Sequence, residues 1–237
     1  MFSCDAERVQ LRRKNPLPTA IIDIDGTLVD SNYHHVVAWD RALAACGAKV
    51  PLWKLHRHMG MGGDKLVEAV AGVGFEREHG DDVRAAEKEK YVELMPEVRA
   101  VEGATEAIAA LTESGWTVIL ASSAKEAEVS HYVDLLGADE LVAGTTDSSD
   151  VGETKPSPDL VESALRKVEG DAQVFMVGDS VWDVEAADRV GVPTIAVLSG
   201  GFPEADLTGA GAIEVIESVS SLPEAAERLR ERGFTPT

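Results

Sequence analysis

Four short stretches bring together side chains that could do chemistry. Asp23-Ile-Asp25-Gly26-Thr27 carries two carboxylates two positions apart. Ser122-Ser123 supplies adjacent hydroxyls. Thr154-Lys155-Pro156 sets a lysine in a loop, and Gly178-Asp179 is followed by Asp183. Carboxylates crowded together repel, so their charge must be balanced. A hard divalent cation with oxygen ligands balances it, and Mg²⁺ suits a few carboxylates plus a phosphate oxygen. Lys155 adds a second positive charge, and Ser122 is a neutral donor. Such a set forms an electrostatic cradle for a phosphoryl group in in-line transfer. A carboxylate in line with phosphorus can attack it, giving an aspartyl-phosphate. A second carboxylate two residues on can protonate the leaving oxygen and then take a proton from water.

Each stretch alone has an ordinary reading. Asp-x-Asp-Gly also occurs in solvated turns and calcium-type loops. A serine at a strand end is commonly a helix cap, and a lysine before proline is commonly an exposed loop residue. The weight lies in the conjunction, with three of the four stretches at the carboxyl end of a strand.

Those strands are short apolar runs. Thr19–Ile24, Trp116–Ala121, Gln173–Val177 and Pro193–Val197 read as strands, with Ala212–Ile216 as a fifth. Between them Ala104–Ser114, Lys125–Leu136, Pro158–Val168 and Val181–Val190 show helical apolar spacing. Alternating strands and helices imply an α/β fold, a Rossmann-like parallel sheet with helices on both faces. Runs without polar alternation fit a sheet covered on both sides. In such sheets ligands bind beyond the carboxyl ends of the strands, where the acids, hydroxyls and lysine lie.

The segment from Asp30 to Val101 has no convincing strand. Asn32–Cys46, Lys65–Ala71 and Glu76–Met95 read as helices. The chain therefore divides into an α/β catalytic core over residues 1–29 and 102–237 and a small all-α cap over 30–101, inserted after the first strand. Hinges are expected near Val29–Ser31 and Val98–Gly103.

These motifs resemble the haloacid dehalogenase superfamily. The resemblance rests on Asp23-Ile-Asp-Gly-Thr-Leu-Val-Asp-Ser31, Ser122, Lys155-Pro-Ser-Pro-Asp159 and Gly178-Asp-Ser-Val-Trp-Asp183, in the family's order across roughly residues 19–200. The helical insert matches the family's cap. The resemblance implies that Asp23 is the nucleophile and Asp25 the general acid and base. It implies that Ser122 and Lys155 hold the phosphoryl group, with Ser123, Gly26 and Thr27 in the same phosphate-binding set. Mg²⁺ would be held by the carboxylates of Asp23 and Asp179 and the backbone carbonyl of Asp25, with Asp183 acting through water or by orienting the others.

The second acid separates the branches of the superfamily. Its dehalogenases lack an acid two residues after the nucleophile, and its phosphonate-cleaving members typically have alanine there. Asp25 therefore points to phosphomonoesters, whose alkoxide leaving group needs a proton. The cap is expected to choose the substrate. Gly60-Met-Gly-Gly-Asp-Lys-Leu66 resembles the cap specificity loop of phosphoglycolate phosphatase-like members, which puts Gly62 and Gly63 at the substrate. Glycines alone also mark a plain helix–helix loop. His34-His35-Val-Val-Ala-Trp39 is similar to the first cap helix of β-phosphoglucomutase, and makes His35 a specificity candidate; a packed cap-helix residue is the alternative. His34, His35, His56 and His58 do not read as a zinc site, because neighbouring helical positions point about 100° apart. Trp39 and Trp53 read as core, and Trp182 has no assigned role. Mutases tend to carry a cap arginine where this chain has Gly63, and a cap lysine where it has Glu87. The expectation is a Mg²⁺-dependent phosphatase of small phosphorylated metabolites. A sugar-phosphate mutase is the alternative, and a catalytically silent binding protein is opposed by the complete set of acids and lysine.

Composition bounds the partners. The 237 residues carry 42 acidic and 22 basic side chains, a net charge of −20, with 44% hydrophobic residues. A surface this acidic repels nucleic acid backbones and anionic membranes. No run reaches the length of a membrane span, and the first sixteen residues lack the apolar stretch of a signal peptide. Cys4 and Cys46 lie outside any metal-ligand spacing and fit a reducing compartment. A cytoplasmic protein, as a monomer or small homo-oligomer, is expected.

Overall fold

The computed structural model describes residues 16–148 and 155–233. Cys4, Thr154 and the segment on which the leader reading rests lie outside them. In chain order the strands and α-helices are β1 (Thr19–Asp23), α1 (Asn32–Ala45), α2 (Leu52–His56), α3 (Gly63–Ala71), α4 (Val73–Leu94), α5 (Ala104–Glu113), β2 (Thr117–Ala121), α6 (Glu126–Leu136), β3 (Gly144–Thr146), α7 (Asp159–Leu165), β4 (Val174–Gly178), α8 (Val181–Asp188), β5 (Thr194–Val197), α9 (Glu204–Ala210), β6 (Glu214–Ile216) and α10 (Leu222–Arg232).

The strands form one six-stranded sheet in the order β3-β2-β1-β4-β5-β6, and every pairing is parallel. Alternate residues of each strand feed opposite faces. Ala20 and Ile22 join Val118, Leu120, Phe175 and Val177 under α5, α6 and α10. Ile21, Ile119 and Met176 join Leu160, Val161 and Ala186 of α7 and α8. Burial on both faces explains why these strands read as unbroken apolar runs. The chain leaves β1 toward β2 on one side and returns to β4 on the other. A crevice opens at that switch point, beyond the carboxyl ends of β1 and β4.

Helices α1 to α4 pack around a separate apolar cluster that includes Val36, Trp39, Leu43, Leu55, Leu66, Val67 and Val83. The two chain segments joining them to the sheet pair with each other. Asp30 N–H donates to the Arg99 carbonyl at 2.8 Å, and Val101 N–H donates to the Leu28 carbonyl at 2.9 Å.

Several details differ from the sequence reading, and helices α2, α9 and α10 were not anticipated. Gly144–Thr146 is an edge strand, although it carries no apolar run to announce it. Helix α4 begins at Val73, ahead of the expected Glu76. Trp53 is not core: it is 67% exposed, because Leu55 is the buried residue of the five-residue α2.

Candidate active site

Asp23 is the last residue of β1 and is buried. Lys155 Nζ stands 2.5 Å from Asp23 Oδ1 and 2.5 Å from Asp183 Oδ1, so one buried ammonium bridges two acids. Asp183 is fixed from the other side by local helix chemistry. Ser180 caps α8, and Ser180 with Asp183 forms a reciprocal capping box. Ser180 Oγ donates to Asp183 Oδ2 at 2.6 Å, and Ser180 N–H donates to the same oxygen at 3.1 Å.

Asp179 follows β4 directly. Thr27 Oγ1 donates to its Oδ1 at 3.3 Å, and the Asn32 amide donates to its Oδ2 at 2.7 Å. Gly26, at φ +73°, lets the β1 loop pass this group; a Cβ there would strike the Asn32 amide and the Asp179 carboxylate.

The carboxylates of Asp23, Asp179 and Asp183 are buried, with ligand atoms within 4.8 Å of one another. Burial pushes the Asp179 carboxyl up to about 7, and the Asp183 charge adds to it against the Asn32 hydrogen bond. Burial likewise raises Asp23 well above the ordinary carboxylate range; Lys155 opposes this, and the charges of Asp183, Asp179 and Asp25 add to it. One lysine does not neutralise this many acids. The all-oxygen donor set fits a hard divalent cation.

Asp25 occupies the opposite wall. Ser31, at the head of α1, does not cap its helix. Its hydroxyl donates instead to Asp25 Oδ1 at 2.7 Å. His35 Nε2 lies 3.5 Å from the same oxygen, and His35 Nδ1 lies 3.1 Å from Glu87 Oε1. The ring stacks on Tyr91 at 3.7 Å, and the Tyr91 hydroxyl is hydrogen-bonded to that of Tyr132 on α6. Burial works to raise the Asp25 carboxyl, but His35 and Ser31 outweigh it and hold it below its ordinary value. Burial works to lower His35, yet hydrogen bonds to Asp25 and Glu87 push it up to about 10. Asp23 and Asp25 thus sit two residues apart in opposite electrostatic settings.

The crevice is a cavity of about 330 Å³. Of the residues singled out from sequence, Asp23, Asp25, Ser123, Lys155, His35, Gly62 and Gly63 line it. Ser122 sits behind Asp25, 3.4 Å from its Oδ2, and its hydroxyl also accepts from Ala124 N–H. Gly26, Thr27, Asp179 and Asp183 form the floor beneath rather than the lining. Gly62 N–H donates to the Lys155 carbonyl at 3.1 Å, and Gly63 packs against Trp39.

Other lining residues were not apparent from sequence. Arg84 and Lys88 of α4, with Lys125 and Glu128 beside α6, complete the walls. Arg84 is held by Glu76 at 2.7 Å and Asp81 at 2.8 Å. The cap face therefore carries cations, although Gly63 and Glu87 are not among them. Asn32 and Ser31 directly follow the first acidic motif, and Ser180-x-x-Asp183 matches the capping-box pattern, so those roles had a signal in the sequence.

Residues 17–191 match the family model described as haloacid dehalogenase-like hydrolase. The chain belongs to that family. Similarity to the haloacid dehalogenase-like hydrolases extends to a phosphoglycolate phosphatase (plasmid) of Cupriavidus necator, 28% identical over 88% of this chain and 92% of the relative. A hydrolase from Pseudomonas syringae has the same fold, with a TM-score of 0.82 and 28% identity over 90% of this chain and 99% of the other. A β-phosphoglucomutase from Clostridium difficile shares the fold at a TM-score of 0.77 and 16% identity, covering 91% of this chain and 98% of the other. Further relatives carry the name phosphoglycolate phosphatase, among them one of Agrobacterium fabrum, 27% identical over 91% of this chain and 95% of the relative. No helix among the described residues is long and apolar enough to cross a membrane.

Proposed function

We propose that this protein is a phosphoric monoester hydrolase that acts on a small phosphorylated metabolite carrying a second anionic group, through an aspartyl-phosphate on Asp23. The observation that carries the reading is the pairing of Asp23 with Asp25 across one cavity, the first facing Lys155 and the second held by His35 and Ser31. Asp23 supplies the attacking carboxylate oxygen. Asp25 gives a proton to the departing alkoxide oxygen and later takes one from the water that attacks the aspartyl-phosphate. Lys155 and Ser123 hold phosphoryl oxygens. Asp23, Asp179 and the Asp25 backbone carbonyl would hold Mg²⁺, with Asp183 orienting them. The ion, when bound, supplies charge neutralisation at the phosphoryl oxygens.

The cap, residues 30–101, closes the cavity from above and is proposed to move on the paired segments near Val29–Ser31 and Val98–Gly103. Lys88 of the cap and Lys125 of the core both line the cavity, and Lys125 holds the Lys88 ammonium below its ordinary pKa. Two ammonium groups meeting at the cavity wall favour a substrate with a carboxylate beyond its phosphoryl group. The named activity of the Cupriavidus relative supports 2-phosphoglycolate as the first compound to try. The mutase reading draws support from these same cations, which could hold a second phosphate. Hydrolysis is favoured because Glu87 sits beside His35, where a second phosphate would meet a carboxylate.

The test is phosphate release from a panel of phosphorylated metabolites with Mg²⁺, run beside a coupled assay for glucose 6-phosphate from β-glucose 1-phosphate with a trace of the 1,6-bisphosphate. Phosphate release, fastest with a phosphorylated carboxylate, is expected. Glucose 6-phosphate formed faster than phosphate would select the mutase.

A further inference from the structure

A second group of possible metal ligands stands apart from the three buried acids. A His35 ring nitrogen, an Asp25 carboxylate oxygen and a Glu128 carboxylate oxygen lie within 4.8 Å of one another, and all three residues line the cavity. They come from three separate elements: the loop after β1, the cap helix α1 and the core helix α6. We propose that Asp25, His35 and Glu128 form a binding site for a borderline transition-metal cation, with Zn²⁺ the best match, and that the bound ion locks the cap to the core and inhibits the enzyme.

Three observations carry this. First, Glu128 Oε1 is buried with no hydrogen-bond partner. A carboxylate oxygen withdrawn from water and left unpaired is costly unless something cationic reaches it. Second, the His35 ring is oriented as in metal sites. Its Nδ1 faces the Glu87 carboxylate at 3.1 Å, and Tyr91 stacks on the ring plane. A histidine whose far nitrogen donates to a carboxylate presents the other nitrogen to a metal, in the carboxylate–histidine–metal arrangement. Here that nitrogen is Nε2, which faces Asp25. Third, Asp25 is anchored by Ser31, so two of the three ligands are set before an ion arrives.

The donor chemistry selects the ion. One imidazole nitrogen with two carboxylate oxygens suits Zn²⁺, which takes three protein ligands and leaves a fourth position for water. Mg²⁺ prefers an all-oxygen shell and keeps several waters, so it favours the oxygens of Asp23 and Asp179. On binding, Zn²⁺ replaces the proton on Nε2 and the fourth position opens into the cavity. Asp25 then has a metal where it needs a proton, and α1 is tied to α6.

The test is calorimetric titration of Zn²⁺ into the full chain saturated with Mg²⁺, followed by phosphate release in the same mixtures. The binding arm stands whether or not the proposed activity is right. One equivalent of Zn²⁺ is expected to bind without displacing Mg²⁺. Glu128→Gln, which keeps the shape of the side chain, is expected to weaken that binding about tenfold or more. Glu87→Gln should weaken it about tenfold through the loss of the carboxylate behind the ring. Zn²⁺ inhibition, expressed against each protein's own zinc-free rate, should weaken in parallel. Thermal melting without Zn²⁺ shows whether each variant is folded, and Co²⁺ gives a spectroscopic check, since nitrogen ligation of Co²⁺ should vanish with His35→Ala. Zn²⁺ binding unchanged in both Glu128→Gln and Glu87→Gln, or Zn²⁺ that displaces Mg²⁺ one for one, would overturn the proposal.

Discussion

The side-chain amide of Asn32 donates to Asp179 Oδ2 at 2.7 Å and to the Gly200 carbonyl at 3.1 Å. The first residue of the first cap helix is therefore bonded to the acidic loop after β4. His56 of α2 adds a contact of 3.0 Å to the same Gly200 carbonyl. Cap placement and the charge state of the acidic floor are linked through these two residues.

Asn32→Ala removes a hydrogen bond that favours ionised Asp179. The Mg²⁺ concentration for half-maximal phosphate release should rise about tenfold, the usual effect of losing an outer partner of a metal ligand. An unchanged Mg²⁺ requirement would separate Asn32 from the metal site.

Asp25→Asn should slow alkyl phosphate hydrolysis by roughly 10²–10⁴-fold, the range for a lost general acid. The loss should be much smaller for p-nitrophenyl phosphate, whose leaving group departs without a proton. Equal losses on the two substrates would assign Asp25 a structural role instead.

His35 gives a pH signature. Its folded value of about 10 lies above its ordinary value of 6.5. The stabilisation from protonated His35 is thus fully present below pH 6.5 and is lost as pH rises toward 10. The urea midpoint of the native protein should exceed that of His35→Gln by an amount that shrinks across this window. A gap that is constant or widens with pH would contradict the Asp25–His35–Glu87 arrangement.

Gly60 lies at φ +83°, and a Cβ there would come within 2.5 Å of Ser180 Oγ. Gly60→Ala should therefore push the cap loop off the core, and a displacement of about an ångström near the chemistry costs on the order of 10²-fold in turnover. Trp182, stacked on His58 of the cap at 6.3 Å, should report it. Its emission should shift to longer wavelength in Gly60→Ala, and the shift should disappear with Trp182→Phe. A normal rate with unshifted emission would show that the loop tolerates the methyl group.

The sheet was legible because its central strands are buried on both faces and so read as continuous apolar runs. β3 was not, since its three residues include two that are only partly buried. The acids and Lys155 were legible because parallel strands deliver their carboxyl ends to one crevice, so order along the chain implies proximity. Arg84 and Lys88 of α4 and Glu128 of α6 were not, because they come to one cavity from helices far apart in the chain, which no local pattern records. Trp53 misled because residue type suggested burial that a five-residue helix did not provide. Trp182 had no sequence rationale, and its partner His58 lies more than a hundred positions earlier in the chain.

The central claim is that Asp23 takes the phosphoryl group. It is tested most directly by phosphate release from 2-phosphoglycolate, or the best substrate of the panel, by native protein and Asp23→Asn under saturating Mg²⁺. The amide is a poor nucleophile and a weaker metal ligand. Asp23→Asn should fold as the native chain does and lose activity by ~10³-fold or more. A folded Asp23→Asn protein keeping as much as about a tenth of the native rate would contradict covalent catalysis by this residue.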